Sequence, residues 1–418
     1  MIPTIDHTAA GLRVATAVIP GVETIAIALH ADTGARAESE RENGLAHLFE
    51  HMVFKGTHRR SARAIAETIE DVGGNLNAWT SRDMTVFHTR LLARDLATGV
   101  DVIADMVMNP RFDPADLDLE REVVLSELGE ARDTPDDIVF DQLQEAAFPG
   151  QALGRSILGS EESLAGLGVA DLHAWRDRHY APERLTLVIA GKFDHAAVMR
   201  LAEEAFPARA ALAATPPEPA QFSPGIAHDS RKFEQAQLTA GYRAPGHHDP
   251  AHDAAVLFTL AAGGGMSSRL FQEVREARGL AYSISAAVTP YVDGGLMSVH
   301  AATAVKDAAR ARELIDEVLA AAAAGLEPAE LDRARAQAIA GLLMGIESPQ
   351  GLADYIARQL LIHGRVAPPA ELVARIERVT VDEARAAGLA MLAGGVARAE
   401  IGTRPAVRRR ATKLPKAA

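Results

Sequence analysis

The stretch "DPADLDLEREVVLSELGEARDTP" (113–135) returns without a gap as "EPAELDRARAQAIAGLLMGIESP" (327–349), 214 positions later. Pro114 meets Pro328, Leu117 meets Leu331, Asp118 meets Asp332 and Pro135 meets Pro349. Upstream, "HLFEHMVFKG" (47–56) loosely matches "RLFQEVREARG" (269–279) at an offset near 222. Two matches in the same order, at nearly the same offset, mark an internal duplication. Halves of roughly 200 residues have the usual size of a domain.

The residues around these anchors read as mixed α and β. "LRVATAVIP" (12–20), "ETIAIALHAD" (23–32) and "LTLVIAG" (185–191) are β-branched, apolar runs expected to form strands. "NLNAWTSRDMTVFHTRLL" (75–92) reads as strand, turn and strand. Residues 43–55 read as a helix, and Ser61 caps a second one that "GG" (73–74) ends. Further helices are expected at about 94–108 and 114–131, the latter opened by Asp113 with Pro114 at its first position. "PARAALAATPPEPAQFSPG" (207–225), rich in Ala and Pro, reads as a linker. The expected division is 1–206 for the first half, a linker at 207–229, and 230–418 for the second half, with a basic tail at 404–418.

The duplication supplies an internal control. His47, Glu50 and His51 meet Arg269, Gln272 and Glu273, while Glu120 and Glu127 meet Ala334 and Gly341. Residues needed only for the scaffold should recur in both copies. Polar residues present in one copy point to chemistry done in one half.

On a helix at 100° per residue, with His47 at zero, Glu50 falls at about 300° and His51 at about 40°. Leu45, Leu48, Phe49, Met52 and Val53 fill the arc from about 100° to about 240°. The helix is therefore apolar with one narrow His–Glu–His stripe. Histidines at i and i+4 can turn a ring nitrogen to one cation, and neutral imidazole suits zinc. The glutamate between them is placed to take a proton from water. The plain alternative is a pair of surface histidines, which the apolar flanks oppose.

A catalytic zinc wants three protein ligands. Glu120 and Glu127, seven apart, share one face of the helix after Asp113, near Leu117, Val124 and Leu128. Carboxylates beside an apolar stripe are costly unless paired or metal-bound. A charged helix edge is the alternative for both.

Composition narrows the remaining classes. The net charge of −13 argues against a broad nucleic-acid surface. The absence of cysteine excludes disulfides, thiolate metal sites and a cysteine nucleophile. "MIPTIDHTAAGLRV" has no basic segment before an apolar core, so no signal peptide is expected. No apolar run is long enough to span a bilayer. A soluble, cytoplasmic protein without a membrane partner is the expectation.

Taken with "REVVLSELGEARDTPDD", "LGRSILG" and "SSRLFQEVREARGLAYS", the motif "HLFEHMVFKGT" with Glu127 placed 76 residues beyond His51 resembles the inverted-motif zinc peptidases of the pitrilysin and insulinase class, above all the processing-peptidase branch. The resemblance implies an α+β fold of two homologous α/β-sandwich halves, with antiparallel-rich sheets flanked by helices, in a clamshell. It implies Zn2+ held by His47, His51 and Glu127, Glu50 as general base, and Glu120 orienting a ligand. It makes Asn77 and Ala78 in "NAWT" the edge strand that pairs with an extended peptide. Without the resemblance, Asn77 reads as a turn residue. Arg275 and Tyr282, seven apart in "REARGLAY", match the family pair that touches substrate and stabilises the tetrahedral intermediate. A chain carrying both sets is expected to act as a homodimer enclosing a chamber for unfolded, presequence-like peptides. The expected activity is zinc-dependent endopeptidase hydrolysis, the alternative a non-catalytic scaffold paralogue.

Two further motifs compete. "AAGGGMSSR" (261–269) prompts a nucleotide-binding reading but lacks the Gly-Lys-Ser/Thr ending, so its glycines are expected to serve packing or a turn. "GHHDPAHD" (246–253) offers His247, His248 and His252, but flanking Pro245 and Pro250 make it a loop of solvated histidines.

Overall fold

The computed structural model describes residues 3–403, so the basic tail 404–418 lies outside the described residues. Strands β1 (Thr4–His7), β2 (Arg13–Val18), β3 (Thr24–Ala31), β4 (Asn75–Thr80), β5 (Thr85–Leu92) and β6 (Leu185–Gly191) form one sheet in the order β1-β2-β6-β3-β5-β4. Strands β7 (Ile226–Asp229), β8 (Gln235–Ala244), β9 (Ser283–Pro290), β10 (Gly295–Ala304) and β11 (Ala397–Ile401) form the second, in the order β7-β11-β8-β10-β9. The two orders superimpose: β2-β6-β3-β5-β4 has the connectivity of β7-β11-β8-β10-β9. Each contains one parallel pair, β2 with β6 and β7 with β11, and antiparallel neighbours elsewhere. The duplication therefore holds at the level of strand order. The last four residues of the expected linker, Ile226–Asp229, are strand β7, because their backbone pairs with Arg398–Ile401.

Local signals act as the residues dictate. Ser61 Oγ accepts from Ala64 N at 3.2 Å at the start of helix Ala62–Glu70, and Asp113 Oδ1 accepts from Ala115 N at 3.0 Å before helix Pro114–Asp133. Helix Pro114–Asp133 ends where Pro135 forces Thr134 into extended backbone (φ −102°, ψ 96°), and helix Pro135–Ala147 starts in a new direction. Ser348 and Pro349 repeat this break between helices Pro328–Gly345 and Pro349–His363.

These reoriented helices cross between the halves. Helix 349–363 lies on the first sheet, setting Leu352, Ala353, Ile356, Ala357 and Leu360 against Ala15, Ala17, Ala26, Val188 and Ala190. Helix 135–147 lies on the second sheet, setting Val139, Leu143 and Ala147 against Leu296, Ala397, Ala399 and Ile401. Alanines and Gly241 line the troughs, and a Cβ on Gly241 would stand 3.1 Å from Leu143 Cδ1. The other face of the first sheet carries its own helices, packed through Leu48, Phe49, Val102, Ile103 and Trp175. Strands buried on both faces, such as β6, need such double cover. Each fully buried Leu or Ile contributes about 1.5–3 kcal/mol. The exchange thus makes each sheet's core depend on a helix that belongs, by sequence, to the other half.

Arg36, 4% exposed, adds a polar tie. Its Nη2 donates to Glu218 O at 2.7 Å and to Asp293 Oδ2 at 2.8 Å, joining the first half to the linker and the second half.

Candidate metal centre

Helix Leu45–Val53 buries Leu45, Ala46, Leu48, Phe49, Met52 and Val53 in the first core. Phe49 stacks on Tyr180 with ring centres 4.4 Å apart and meets Phe112 edge-on at 5.7 Å. These contacts fix the rotation of the helix, so His47, Glu50 and His51 come out on its remaining, half-buried side. Helix 114–133 packs against it through Leu117 and Val124, which presents Glu120 and Glu127 to the same place.

His47 Nε2 lies 3.8 Å and His51 Nε2 3.7 Å from the same oxygen, Glu127 Oε2. The two imidazoles meet edge-on with centres 4.6 Å apart. Among the described residues, His47, His51 and Glu127 are the group of potential ligands whose atoms all fall within 4.8 Å. Burial, then the neighbouring His51, lowers the His47 pKa to about 4, so its ring is neutral at pH 7.

Glu120 is 5% exposed. Its Oε2 lies 3.0 Å from His51 Nδ1, and its Oε1 pairs with Lys55 Nζ. An acceptor-only carboxylate requires the proton on Nδ1, so the neutral ring would turn the lone pair of His51 Nε2 to Glu127. Lys55 supplies the countercharge that a buried carboxylate needs. Glu50 Oε2 accepts from Thr80 Oγ1 at 2.6 Å, and burial raises its pKa while the Thr80 bond opposes the rise. A carboxylate with a raised pKa, held in place, is poised to accept a proton.

Thr80 is the last residue of β4, the edge strand that carries Asn77 and Ala78. Asn77 Oδ1 accepts from Ala78 N at 2.8 Å. The strand that could pair with an extended peptide therefore ends on the residue holding Glu50.

Arg275 and Tyr282 come together on the second half, on different elements from the metal cluster. Arg275 lies in a π-helical turn, Phe271–Glu276, with its guanidinium 4.7 Å from the Phe271 ring centre and 5.6 Å from that of Tyr282. Tyr282 is 75% exposed and directly precedes β9, the counterpart of β4. It lines a cavity of about 520 Å³ with Asp136, Phe233, Gln237 and His300.

The second half shows what replaces the ligands. Arg269, in the position of His47, grips Glu330 with two bonds of 2.6 Å and also donates to Gly325 O. Glu273, in the position of His51, pairs with Arg278. In "AAGGGMSSR", a Cβ on Gly263 would stand 2.6 Å from Ala286 Cβ, so that glycine serves close packing. His247 and His252 are half-buried rather than solvated, joined by His248 and His363 with ring centres 5.3–6.4 Å apart. Their nitrogens do not gather as those of the first cluster do. Sequence reasoning missed Thr80 and Lys55. Lys55, four residues beyond His51, lies in the turn past Val53, where the expected helix 43–55 ends early, so helical spacing did not place it; Thr80 had no signal beyond its place in "NAWT".

Residues 13–161 match the family model for insulinase (peptidase family M16), and residues 167–338 match that for the peptidase M16 inactive domain. An uncharacterized zinc protease of Mycobacterium leprae is 35% identical over 383 residues, covering 90% of this chain and 86% of the relative. The uncharacterized zinc protease YmxG of Bacillus subtilis is 33% identical, covering 91% and 93%. Among solved structures, a protease from Helicobacter pylori superimposes with a TM-score of 0.89 at 17% identity, covering 97% of this chain and 100% of the other. The M16 inactive-domain protein of Pseudomonas fluorescens gives 0.88 at 21% identity, covering 97% and 99%. The donor set, two imidazoles and a carboxylate, is the chemistry that zinc takes. With the fold, the clustered ligands and these zinc-protease relatives in agreement, the chain belongs to the insulinase family of peptidases, peptidase family M16.

Proposed function

We propose that the chain is a zinc-dependent endopeptidase that hydrolyses peptides or unfolded, presequence-like segments bound as an extended strand. The observation that carries this reading is the convergence of His47, His51 and Glu127 within 4.8 Å, beside a Glu50 tethered to the edge strand through Thr80.

His47, His51 and Glu127 would hold the ion. Zinc, when bound there, polarises a carbonyl and lowers the pKa of water. The peptide adds to the free edge of β4 by main-chain hydrogen bonds at Asn77 and Ala78, which places a peptide bond beside Glu50. Its arrival requires the Asn77 side chain to release Ala78 N. Glu50 accepts the proton from the attacking water and passes it to the leaving amine. Glu120 keeps His51 oriented throughout.

Tyr282 supplies a hydrogen bond to the developing oxyanion, and Arg275, stacked beside it, contacts the substrate. An oxyanion donor of this kind is worth about 10²–10³ in rate. The exposure of Tyr282, at the start of the strand equivalent to β4, supports its service to the centre of a second copy across a homodimer chamber. A chain free of cysteine and with no helix, among the described residues, long and apolar enough to cross a membrane agrees with a cytoplasmic setting.

The scaffold alternative predicts loss of ligands, and the second half, with Arg269 on Glu330, shows such a loss within this chain. The first half keeps all four motif residues, which favours the active reading. The test is mass spectrometry of products from a peptide library, with and without a chelator. Chelator-sensitive internal cleavage is expected. Zinc-loaded protein that cleaves no peptide would overturn the proposal.

A further inference from the structure

The helix that carries His47, Glu50 and His51 has an unusual beginning. Gly44 precedes it with φ 90° and no side chain to cap it. A helix start leaves its first N–H groups without partners, and these need an acceptor when buried. Glu38, six residues upstream of Gly44, meets that need. Its Oε1 accepts from Ala46 N at 2.7 Å, and its Oε2 accepts from Gly44 N at 3.0 Å and Asn43 Nδ2 at 3.2 Å. Glu38 is 3% exposed. Burial pushes its carboxyl up to about 8, with the N–H groups of Ala46 and Gly44 pulling the other way. Every described donor to it favours the anion, as does the positive end of the helix.

The motif "LGRSILG" (153–159), which the metal site leaves unexplained, stands behind this cap. Arg155 Nη2 donates to Glu38 O at 2.6 Å, and Asn43 Nδ2 also donates to Ser156 O at 2.8 Å. Gly159, with φ 80°, touches Gly44: a Cβ on Gly159 would stand 2.8 Å from Asn43 O and 3.0 Å from Gly44 Cα. Two left-handed glycines in contact leave no room for a side chain on either. The loop is anchored onward, since Ser156 Oγ donates to Asp141 Oδ2 at 2.8 Å, and Asp141 sits on the helix that covers the second sheet.

Resting on the zinc reading above, we propose that Glu38, backed by the 153–159 loop, is a positioning residue for the metal centre. It fixes the first turn of the helix, and hence where His47, next to the capped Ala46, and His51, one turn on, stand relative to Glu127. A site of this kind tolerates displacements of only about 0.5 Å.

The experiment compares zinc affinity, by competition with a chromophoric chelator, in full-length wild type, Glu38→Gln, Asn43→Ala and the control Glu400→Gln. Glutamine keeps the size of Glu38 but turns an amide N–H2 toward the N–H donors. Glu400, 6% exposed and paired with Arg312 at 2.6 Å, offers an equally buried carboxylate in the second half. Glu38→Gln should weaken zinc binding by about 10–100-fold, the range for outer partners of metal ligands. At saturating zinc it should lower kcat, with KM changed by less than about twofold, because the peptide's edge strand is not on the capped helix. Asn43→Ala, which leaves both backbone bonds to Glu38 in place, should weaken zinc in the same direction but less. Glu400→Gln should lower Tm without altering zinc affinity. A folded Glu38→Gln with wild-type zinc affinity, or a Glu400→Gln that weakens zinc equally, overturns the proposal. If Glu38→Gln does not fold, unchanged affinity in Asn43→Ala overturns it. Wild type that binds zinc but cleaves nothing defeats the peptidase reading while the affinities still decide the role of Glu38. Wild type that binds no zinc defeats both.

Discussion

Replacing Glu50 by glutamine separates metal binding from proton transfer. The side chain keeps its size, and its amide oxygen can still accept the Thr80 hydroxyl that now lies 2.6 Å from Oε2. None of the three clustered ligands is altered, so zinc content should stay at the wild-type level. What is lost is the capacity to take a proton. General-base catalysis contributes about 10²–10⁴-fold, equivalent to about 2.7–5.4 kcal/mol of barrier at 1.36 kcal/mol per tenfold. Stability should move the other way. Burial raises the Glu50 pKa, so ionising it in the folded protein costs stability as pH rises above the usual carboxylate value. The neutral amide removes that cost, and metal-free Glu50→Gln should melt no lower than metal-free wild type at pH 7. The assay pairs metal analysis of the purified variant with turnover of a quenched fluorogenic peptide. Zinc-loaded Glu50→Gln turning over within about tenfold of wild type would refute Glu50 as the base.

Glu127→Gln should lose zinc, because an amide is a poorer ligand for a dication than a carboxylate, whereas Glu120→Gln should retain more of it and lose part of the rate; metal analysis showing the reverse would exchange their roles. Mixed dimers of Glu50→Gln and Tyr282→Phe should recover activity, up to about half the wild-type level, if Tyr282 serves the partner's zinc; no recovery in dimers verified by native mass spectrometry would exclude service in trans. Leu143→Ala, at a side chain 1% exposed on the exchanged helix, should destabilise the fold by about 2–5 kcal/mol in denaturant titration, and a loss under about 1 kcal/mol would deny that this helix is part of the second core. Asp105 is buried, which alone would raise its pKa, but hydrogen bonds from Thr57, Arg60 and Arg59 outweigh burial and lower it. Its contribution is therefore present above the usual carboxylate pKa and lost as pH falls through the lower folded value; because Arg59 and Arg60 keep Asp101 as a partner, Asp105→Asn should cost about 1.5–3 kcal/mol at pH 7 and flatten the acid end of the stability profile, as followed by thermal melts.

The His47–His51 pair of the candidate metal site was legible because its signal is short-range, whereas Glu127 as third ligand was implied by the resemblance. His47 and His51 share a face by helical period, and the same period puts Glu120 with Glu127. The loss of all these residues from the second copy separated chemistry from scaffold. The roles of Thr80, Lys55 and Glu38 depend on contacts between distant segments, so no period or cap motif announces them. Thr80 reaches Glu50 across 30 residues, and Lys55 reaches Glu120 across 65. "LGRSILG" could be quoted as a motif, but its purpose emerged only when Gly159 was seen to touch Gly44.

By itself the sequence determined the two-fold repeat, most of the first-half strands and helices around the motif, and the shared face of His47, Glu50 and His51, while Glu127 as third ligand rested on the resemblance. The repeat follows from matched segments 214 positions apart, and the elements and the histidine face from backbone sterics or side-chain periodicity. The tertiary structure alone decided where the chain goes after the breaks at Pro135 and Pro349. A proline ends a helix without choosing the next direction. Helix 135–147 lies on the second sheet and helix 349–363 on the first because each apolar face fits an Ala- and Gly-lined trough in the other half. That choice depends on complementary surfaces some hundred or more residues apart in the chain, a global packing condition that no local pattern encodes.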